Sequence, residues 1–327
     1  MIRVSAPGKL MVVGEYSVLE GGEALVAAVS RRLYASYSPF AGNGSGPEGS
    51  VSGKSEKLGP ETMLSRDLAR EKLGAEPGHL TMDSSAFYSG HQKLGFGSSA
   101  AAATAATSAV FAEHGYDLNQ IQSKEAVFDL AYQGHRAVAA QGSGADVAAS
   151  VFGGVLRFKK DAETINTQAS QISGLLHSSV IWTQQSARTS DFISGINALK
   201  QDKPDLYYSC INKIKHCAQT FIQASEANEA QESLLAYAEH HKAMSQLGSA
   251  AQLAVVTETI NTIVSLAESH HGACKASGAG GGDCCLAFFR TPEDKQSFEK
   301  ACSNAGFSVL DVTLAAPGAR LEQDRCN

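Results

Sequence analysis

Two glycines and two serines precede a run of alanines in the segment KLGFGSSAAAATAAT, Lys93 to Thr107. Gly95 and Gly97 permit a tight turn with positive φ, and Ser98 or Ser99 can cap the helix that the alanines favour. The start of such a helix presents free backbone N–H groups and the positive end of the helix dipole, which together bind phosphate. The segment therefore indicates a phosphate site, although an N-capped core helix has the same pattern.

Two charged residues follow other glycine-containing turns. Lys9 comes after Pro7-Gly8 in SAPGKLMVVGEYSVLEGG, and Pro-Gly predicts a turn from which a strand leaves at Lys9. Lys9 is either an exposed lysine of a strand edge or a cation beside a transferring phosphate. Asp146 falls in the first turn of a short helix predicted after Gly142-Ser143-Gly144, where the helix dipole favours a carboxylate. An aspartate there is commonly only a dipole partner, so both interpretations remain open.

A third glycine-rich segment is KASGAGGGDCCLAFF, Lys275 to Phe289, in which four of the five residues from 278 to 282 are glycine. Glycine loses more conformational entropy on folding than other residues, so such a run is tolerated mainly where the backbone must approach something closely. A β-hairpin turn is the alternative, but a hairpin needs only two residues of this kind. The segment favours a binding loop.

Two well-known phosphate motifs occur nearby as strings, and neither has the required context. Gly95-x-Gly97-x-x-Ala100 matches the dinucleotide fingerprint, but SGHQK precedes it instead of a hydrophobic strand. GSVSGKS (49–55) approaches a P-loop, but its glycines are three residues apart instead of the required spacing, and no strong helix follows. We therefore expect neither a nicotinamide dehydrogenase nor a P-loop enzyme.

Composition limits the classes of partner. The chain has 327 residues and a net charge of −6, which gives no reason to expect nucleic acid or an anionic membrane as a general partner. No apolar run approaches the roughly 18 residues of a membrane span, and the N-terminal residues lack the features of a signal peptide. Seven cysteines without a CxxC pair suit reduced thiols, so we expect a cytoplasmic protein.

The elements that must position these residues fall in two halves, each with strands at both ends and helices between them. Strands are predicted in residues 2–38, 153–158, 178–183, 284–289 and 307–314. Helices are predicted at Ser98 to Glu113, at 123–139, near residue 144, three or four times between 190 and 269, and at 292–305. Residues 40–60 predict a loop, and the polar residues 160–172 predict a domain boundary. This order favours an α+β fold with domains at 1–170 and 171–327.

Taken in order, SAPGKLMVVGEYSVLEGG, KLGFGSSAA and KASGAGGGDCC resemble the three motifs of the GHMP kinase superfamily (galactokinase, homoserine kinase, mevalonate kinase and phosphomevalonate kinase). Within it, the chain is most similar to the phosphomevalonate kinases. Tyr16 stands where mevalonate kinases usually have histidine, and Asp283 follows the last glycines. QGSGADVAASVFGG, WTQQSARTSDFI and APGARLEQ resemble segments of the same family.

The resemblance implies a fold and a site. The fold would pair an N-terminal domain like a ribosomal protein with a ferredoxin-like C-terminal domain. ATP would contact Lys93, Gly95, Gly97, Ser98, Ser99 and Ala100, with the hydroxyls of Ser98 and Ser99 on Mg²⁺. The acceptor would contact Lys9, Glu15, Tyr16, Ser143, Gly144, Asp146, Arg188, Ser277, Gly278, Ala279 and Gly280. Lys9 and Asp146 would be the catalytic residues.

One position departs from the family pattern. Mevalonate kinases place a Mg²⁺-binding glutamate eleven residues before the catalytic aspartate, and here that position is His135. Histidine is a poor Mg²⁺ ligand because this hard cation prefers oxygen. His135 or Arg136 would instead meet an anionic substrate, with metal binding left to the serines, the triphosphate and water.

The implied activity is phosphoryl transfer from ATP to a small phosphorylated acceptor, 5-phosphomevalonate. A kinase acting on mevalonate is the nearest alternative. A decarboxylase of the superfamily is disfavoured because its YWGK stretch is absent. A non-catalytic relative is disfavoured because Lys9, the two serines and Asp146 are retained. The sequence leaves a homodimer open.

Overall fold

The computed structural model describes residues 1–40, 49–52, 58–161, 164–187 and 189–322. Arg188, named above for the acceptor, and most of the loop predicted at 40–60 lie outside these ranges. Helix accounts for 49% and strand for 25%, so the mixed α+β class is confirmed.

The strands are β1 (Ile2–Val13), β2 (Glu23–Pro39), β3 (Gly49–Ser52), β4 (Gly78–Asp83), β5 (Tyr88–Ser89), β6 (Gln92–Lys93), β7 (Val155–Lys160), β8 (Ile165–Ser170), β9 (His177–Trp182), β10 (Ala273–Ala276), β11 (Cys284–Phe289), β12 (Ser308–Leu310) and β13 (Arg320–Leu321). The α-helices are α1 (Pro60–Leu73), α2 (Ser98–Glu113), α3 (Ile121–Val138), α4 (Ala145–Phe152), α5 (Thr189–Asp202), α6 (Pro204–Glu226), α7 (Ala230–Ala251), α8 (Glu258–Ser269) and α9 (Pro292–Asn304). A 3₁₀ turn at Ser17–Glu20 follows β1. None of the described helices combines the length and apolar character needed to cross a membrane.

The first sheet has the order β13-β1-β2-β4-β3, and β7 pairs with β2 and with β8. The long strand β2 serves two neighbours, because its first half pairs with β7 and its second half pairs with β4. Helices α1, α2, α3 and α4 pack beside this sheet. The sheet and these helices therefore hold both Lys9, on β1, and the starts of α2 and α4.

Helix α2 is buried on all sides. Ala100, Ala103 and Ala106 are fully buried, and so are its polar residues Thr104 and Ser108. Small side chains let β1, β2 and three other helices approach its backbone closely. Close packing fixes the direction of this helix, so its N-terminus points at a defined place beside β1.

The second sheet is antiparallel, with the order β10-β11-β9-β12. One cluster of apolar side chains joins it to α8 and α9, including Ile181, Ile263, Phe289 and Phe298. Its other side packs on α6 and α7, where Phe288 contacts Phe221 and Tyr237. Strands β10 and β11 flank the third glycine-rich segment and hold both of its ends.

The last residues of the described chain return to the first sheet. Leu314 bridges Val29, Pro317 bridges Gly153, and β13 pairs with β1. The buried Arg32 guanidinium donates to the carbonyls of Pro317 and Gly318 at 2.6 and 2.7 Å. The chain passes from the first sheet to the second between β8 and β9, and the predicted division at 170/171 stays a prediction.

Two sequence predictions of local structure are wrong. Pro7-Gly8 is a bulge inside β1, where the register to β2 shifts, because proline cannot donate to the ladder. The strand predicted over 307–314 is confined to β12. Strand β8 lies within the polar residues 160–172 and was not predicted, because its exposed position in the sheet tolerates polar side chains. The domain boundary predicted in this range stays a prediction. Helix α2 matches its prediction, whereas α1 and β4 were not predicted.

Candidate active site

The start of α2 is capped by glycine and not by serine. Gly97 occupies the cap position with φ 73°, and no side chain accepts a hydrogen bond from the first turn. Ser98 and Ser99 are therefore the first helical residues, and the prediction that one of them caps the helix is wrong. The N–H groups of the first turn have no intrahelical acceptor. They are therefore available to an anion, and the phosphate site at this helix start stays a prediction.

Two other segments press on the turn that precedes α2. The backbone N–H of Lys9 donates to the carbonyl of Phe96 at 2.9 Å, which fixes β1 against the turn. At Gly95, with φ 84°, an added Cβ would lie 2.4 Å from Cβ of Asp283. Only glycine fits there, because the third glycine-rich segment packs directly on the turn. The three segments named from the sequence therefore meet in space.

Lys9 and Asp146 converge beside the start of α2. A Cβ placed on Gly97 would lie 3.2 Å from Lys9 Cε and 3.8 Å from Asp146 Cβ. Asp146 stands in the first turn of α4, and its Oδ1 accepts a hydrogen bond from the N–H of Val147 at 2.9 Å. Both Lys9 and Asp146 line the cavities described below.

His135, on α3, lies between a serine and the aspartate. Its Nε2 is 3.2 Å from Ser99 Oγ and 4.0 Å from Asp146 Oδ2. The imidazole is buried, so it lies behind these two groups and not at the front of the cavity. The alternative that His135 meets a substrate directly has no support in this placement. Arg136, the neighbouring candidate, is exposed and places its guanidinium carbon 6.0 Å from the ring centre of Tyr132.

Two adjoining cavities share a wall. The first has a volume of about 200 Å³ and is lined by Lys93, Gly95, Gly97, Ser98, Ser99, Ser277 and Asp283, among others. The second has a volume of about 150 Å³ and is lined by Glu15, Tyr16, Gln141, Gly142 and Ser143, among others. The residues common to both are Lys9, Asp146, Thr189, Gly278 and Ala279. A group passing from one cavity to the other would therefore pass Lys9 and Asp146.

A third cavity adjoins the start of α2. It has a volume of about 180 Å³, and its lining is mixed, with the apolar Leu33, Leu58 and Met82 beside polar residues such as Glu61 and Thr62. Ser98 and Ser99 line it as well as the first cavity. A cavity with both apolar and polar walls therefore lies directly beside the start of α2.

The third glycine-rich segment is held by side chains from β1 and from the turn after it. Ser277 Oγ donates to the carbonyl of Met11 at 2.9 Å, and the hydroxyl of Tyr16 donates to the carbonyl of Ala279. Burial and the charge of Glu15 raise the pKa of Tyr16, so its hydroxyl stays a donor at neutral pH. Among the residues predicted from the resemblance, Gly144 caps α4 and Gly280 lines neither shared cavity.

Glu15 is a buried ion-pair partner as well as a lining residue of the second cavity. Its side chain is 2% exposed, and Lys275 Nζ, which is fully buried, donates to its Oε1. Burial raises the pKa of Glu15 and lowers the pKa of Lys275, and each charge opposes the shift of the other. His240 Nε2 accepts from the N–H of Gly14 at 3.0 Å, and burial lowers the pKa of that imidazole far below its usual range.

Asp283 is a site residue that sequence reasoning used only as a family marker. It lines the first cavity and has φ 55°, an unusual backbone conformation for a non-glycine residue. Burial raises the pKa of its carboxyl group, and the N–H of Ala187 together with Lys9 and Lys93 opposes that shift. The sequence feature that could have identified Asp283 as a candidate site residue is its place directly after a run of glycines.

Comparison with known proteins agrees with the motifs. The family models GHMP kinases N terminal domain and GHMP kinases C terminal match residues 63–154 and 229–308. Mevalonate kinase of Aeropyrum pernix is 26% identical, with 98% of each chain covered. Phosphomevalonate kinase of a Streptomyces species is 25% identical, covering 96% of this chain and 97% of its own.

A solved structure gives the same fold. Streptococcus pneumoniae phosphomevalonate kinase in complex with phosphomevalonate and AMPPNP superposes with a TM-score of 0.82 at 17% identity, covering 96% of this chain and all of its own. The family models, the relatives over nearly full length and the shared fold lead to one conclusion: this chain belongs to the GHMP kinase superfamily.

Proposed function

We propose that the protein transfers the γ-phosphoryl group of ATP to 5-phosphomevalonate, giving 5-diphosphomevalonate. The observation that carries the proposal is the pair of adjoining cavities with Lys9 and Asp146 on their common wall. Phosphoryl transfer depends on in-line positioning and on neutralisation of charge more than on covalent chemistry. Two spaces that meet at a cation suit that requirement.

The first cavity would hold the phosphates of ATP. The free amides at the start of α2 and the ammonium group of Lys93 offer the positive charge that a triphosphate needs. The third cavity, beside Ser98 and Ser99, has both apolar and polar walls and would take the nucleoside. Of the residues expected to contact ATP, Ala100 is fully buried and lines neither of these cavities, whereas the others line the first.

The second cavity would hold the acceptor. Tyr16, Ser143 and Ala279 line it, and Lys9 stands where the acceptor would meet the donor. Thr189, the first residue of α5, lines both cavities, and the adjacent Arg188 remains the proposed partner of an anionic group of the acceptor. The acceptor would thus be held between cationic groups.

The charge of the acceptor sets the roles of the two catalytic residues. A phosphate monoester has a second pKa near 6, so its attacking oxygen is largely ionised at neutral pH. Such an acceptor needs no strong base, and Asp146 would orient it. Lys9 would offset the repulsion between two anions, a contribution that is large in a site shielded from water.

The residues of the first cavity fit Mg²⁺ bound mainly through phosphate. Oxygen ligands are available from Ser98, Ser99 and Asp146, which all line this cavity, and Ser99 Oγ lies 3.2 Å from His135 Nε2. Among the described residues, no group of three or more His, Cys, Asp or Glu side chains could hold a metal by itself. Bound there, Mg²⁺ would neutralise phosphate charge.

Mevalonate is the alternative acceptor, since the relatives at similar identity include both kinds of kinase. The two are separated by an assay of ADP release with mevalonate and with 5-phosphomevalonate under saturating ATP and Mg²⁺. We expect the value of kcat/KM for 5-phosphomevalonate to exceed that for mevalonate by at least 100-fold, since the phosphate group of that acceptor adds charged contacts. Comparable values, or a preference for mevalonate, would overturn the acceptor proposed here.

A further inference from the structure

The backbone at Gly278 and Ala279 belongs to the wall common to both cavities, and two neighbouring residues hold it. Glu15 Oε1 accepts from the N–H of Gly278 at 3.3 Å, and the hydroxyl of Tyr16 donates to the carbonyl of Ala279. The first bond fixes the peptide group between residues 277 and 278, and the second fixes the peptide group between residues 279 and 280. The N–H of Ala279 belongs to the peptide group that lies between these two. Within the described part of the chain, that N–H has no hydrogen-bond partner.

Glu15 keeps this position only while its buried charge is compensated. A carboxylate out of contact with water is costly unless it is paired, and without a partner it either takes up a proton or moves towards solvent. Lys275 supplies the pairing charge, and its ammonium group also donates to the carbonyl of Ala276 at 2.9 Å. Lys275 is fully buried and lines neither shared cavity, so it acts on them only through its neighbours.

His240 closes the other side of the carboxylate. By accepting from the N–H of Gly14, its Nε2 fixes the residue before Glu15, and it lies 3.5 Å from Glu15 Oε2. That carboxylate oxygen has no hydrogen-bond partner among the described residues. The position of Glu15 therefore depends mainly on Lys275 and on the backbone that His240 fixes.

We propose that Lys275 is a positioning residue, which through Glu15 orients the free N–H of Ala279 towards the anionic group of the acceptor. The identity of the acceptor rests on the proposed function, whereas the fixing of the 277–282 backbone does not. Lys275 would therefore set the affinity for the acceptor without touching it.

The test compares Lys275→Met with the double variant Glu15→Gln/Lys275→Met. Methionine removes the charge and leaves Glu15 unpaired, whereas the neutral glutamine needs no counter-ion and still offers a carbonyl oxygen to the N–H of Gly278. The control is Lys200→Met, which breaks the Lys200–Glu20 pair at 2.6 Å on the turn after β1 without a contact to the loop. All measurements are made well below the unfolding temperature of each variant.

Two measurements are expected to move together. In Lys275→Met, amide hydrogen exchange of the peptide covering 277–282 becomes at least tenfold faster, and KM for the acceptor rises at least tenfold while KM for ATP changes less than threefold. The double variant restores at least half of each change on a logarithmic scale. Lys200→Met leaves the exchange rate of this peptide as in the wild type.

The inference would be overturned if amide exchange of the 277–282 peptide were unchanged in Lys275→Met. It would also be overturned if KM for the acceptor were unchanged while only kcat and stability fell, because the ion pair would then be purely structural. The double variant failing to recover would overturn it as well. The exchange measurement does not use turnover, so it tests the fixing of the loop even where the proposed acceptor proves wrong.

Tyr16→Phe provides a second test if Lys275→Met does not fold. The variant keeps the ring and loses only the hydrogen bond to Ala279. We expect exchange of the same peptide to become threefold to tenfold faster, with a parallel rise in KM for the acceptor. No change in either quantity would contradict the inference.

Discussion

Two sets of oppositely charged residues lie near the same cavities and differ in burial and in pairing. Lys9 and Asp146 line open cavities, and Asp146 is 26% exposed. Glu15 and Lys275 are buried to within 2% and bond directly to each other. Within the described residues, no carboxylate pairs with the Lys9 ammonium group at ion-pair distance.

The difference separates charges that are available to a ligand from charges that are used within the fold. A charge that must neutralise a phosphate is kept accessible and without a competing ion pair, so its energy is available to the reaction. A buried charge is tolerated only with a partner, and the pair holds surrounding backbone in one arrangement. Removing a member of each pair should therefore affect different measured quantities.

The largest effect on folding is expected from Lys275→Met. Leaving one member of a buried pair alone costs about 3–5 kcal/mol, and replacing both members with neutral groups costs much less. The free energy of unfolding should fall by that amount and recover substantially in Glu15→Gln/Lys275→Met. Urea unfolding followed by circular dichroism measures it. A loss below about 1 kcal/mol would mean that the buried pair resembles an exposed one.

Lys9→Ala should lower activity strongly and leave the stability of the fold nearly unchanged. We expect kcat to fall by about 10²–10³-fold, the usual loss for one group that stabilises transition-state charge. Stability should change by less than about 1 kcal/mol, because no ion pair is broken. Steady-state ADP release and thermal unfolding measure the two effects, with the exposed Lys72→Ala on α1 as the matched control. Strong destabilisation by Lys9→Ala would erase the distinction between the two pairs.

Asp146→Asn should be milder than Lys9→Ala. An acceptor phosphate that is already ionised needs orientation from Asp146 and no removal of a proton, so a loss in kcat of about tenfold is expected. The losses of kcat in Lys9→Ala and in Asp146→Asn are measured in one ADP-release assay, and their ratio shows which residue contributes more to the reaction. A larger loss for Asp146→Asn would indicate an acceptor hydroxyl group and therefore mevalonate.

The smallest effect is a pH dependence of stability at Asp283. Burial raises the pKa of this carboxyl group above its unfolded value of about 3.9, so its contribution is present at low pH and lost as pH rises through the folded pKa. Asp283→Asn keeps a residue suited to the left-handed backbone. The variant should gain stability over the wild type, by less than about 1 kcal/mol, as pH rises from 4 to 7.

Thermal unfolding at several pH values measures that difference. Asp202→Asn, on the exposed part of α5, is the control and should show no such trend. An equal effect of Asp283→Asn at all pH values would mean that the carboxyl group does not titrate differently in the folded state.

Much of the site was visible before the fold. The chemistry of the glycines, the two serines, Lys9 and Asp146 follows from their residue types and could be inferred from the sequence. The alanine run predicted α2 with its boundaries. Strand β8 was missed because its composition is polar, and Pro7-Gly8 was assigned to a turn because a bulge and a turn share the same residues. The roles of Lys275 and His240 gave no local signal, since each depends on a partner more than 200 positions away.

The sequence by itself determined the fold class, the family and the three segments that meet at the candidate site, because helix and turn preferences and glycine spacing are local properties. Only the tertiary structure decided that Gly97 and not a serine caps α2, that His135 lies behind Ser99 and Asp146, and that Glu15 is paired. Those facts depend on burial and on contacts between distant residues, and a side chain acquires both only when the sheets and helices pack together.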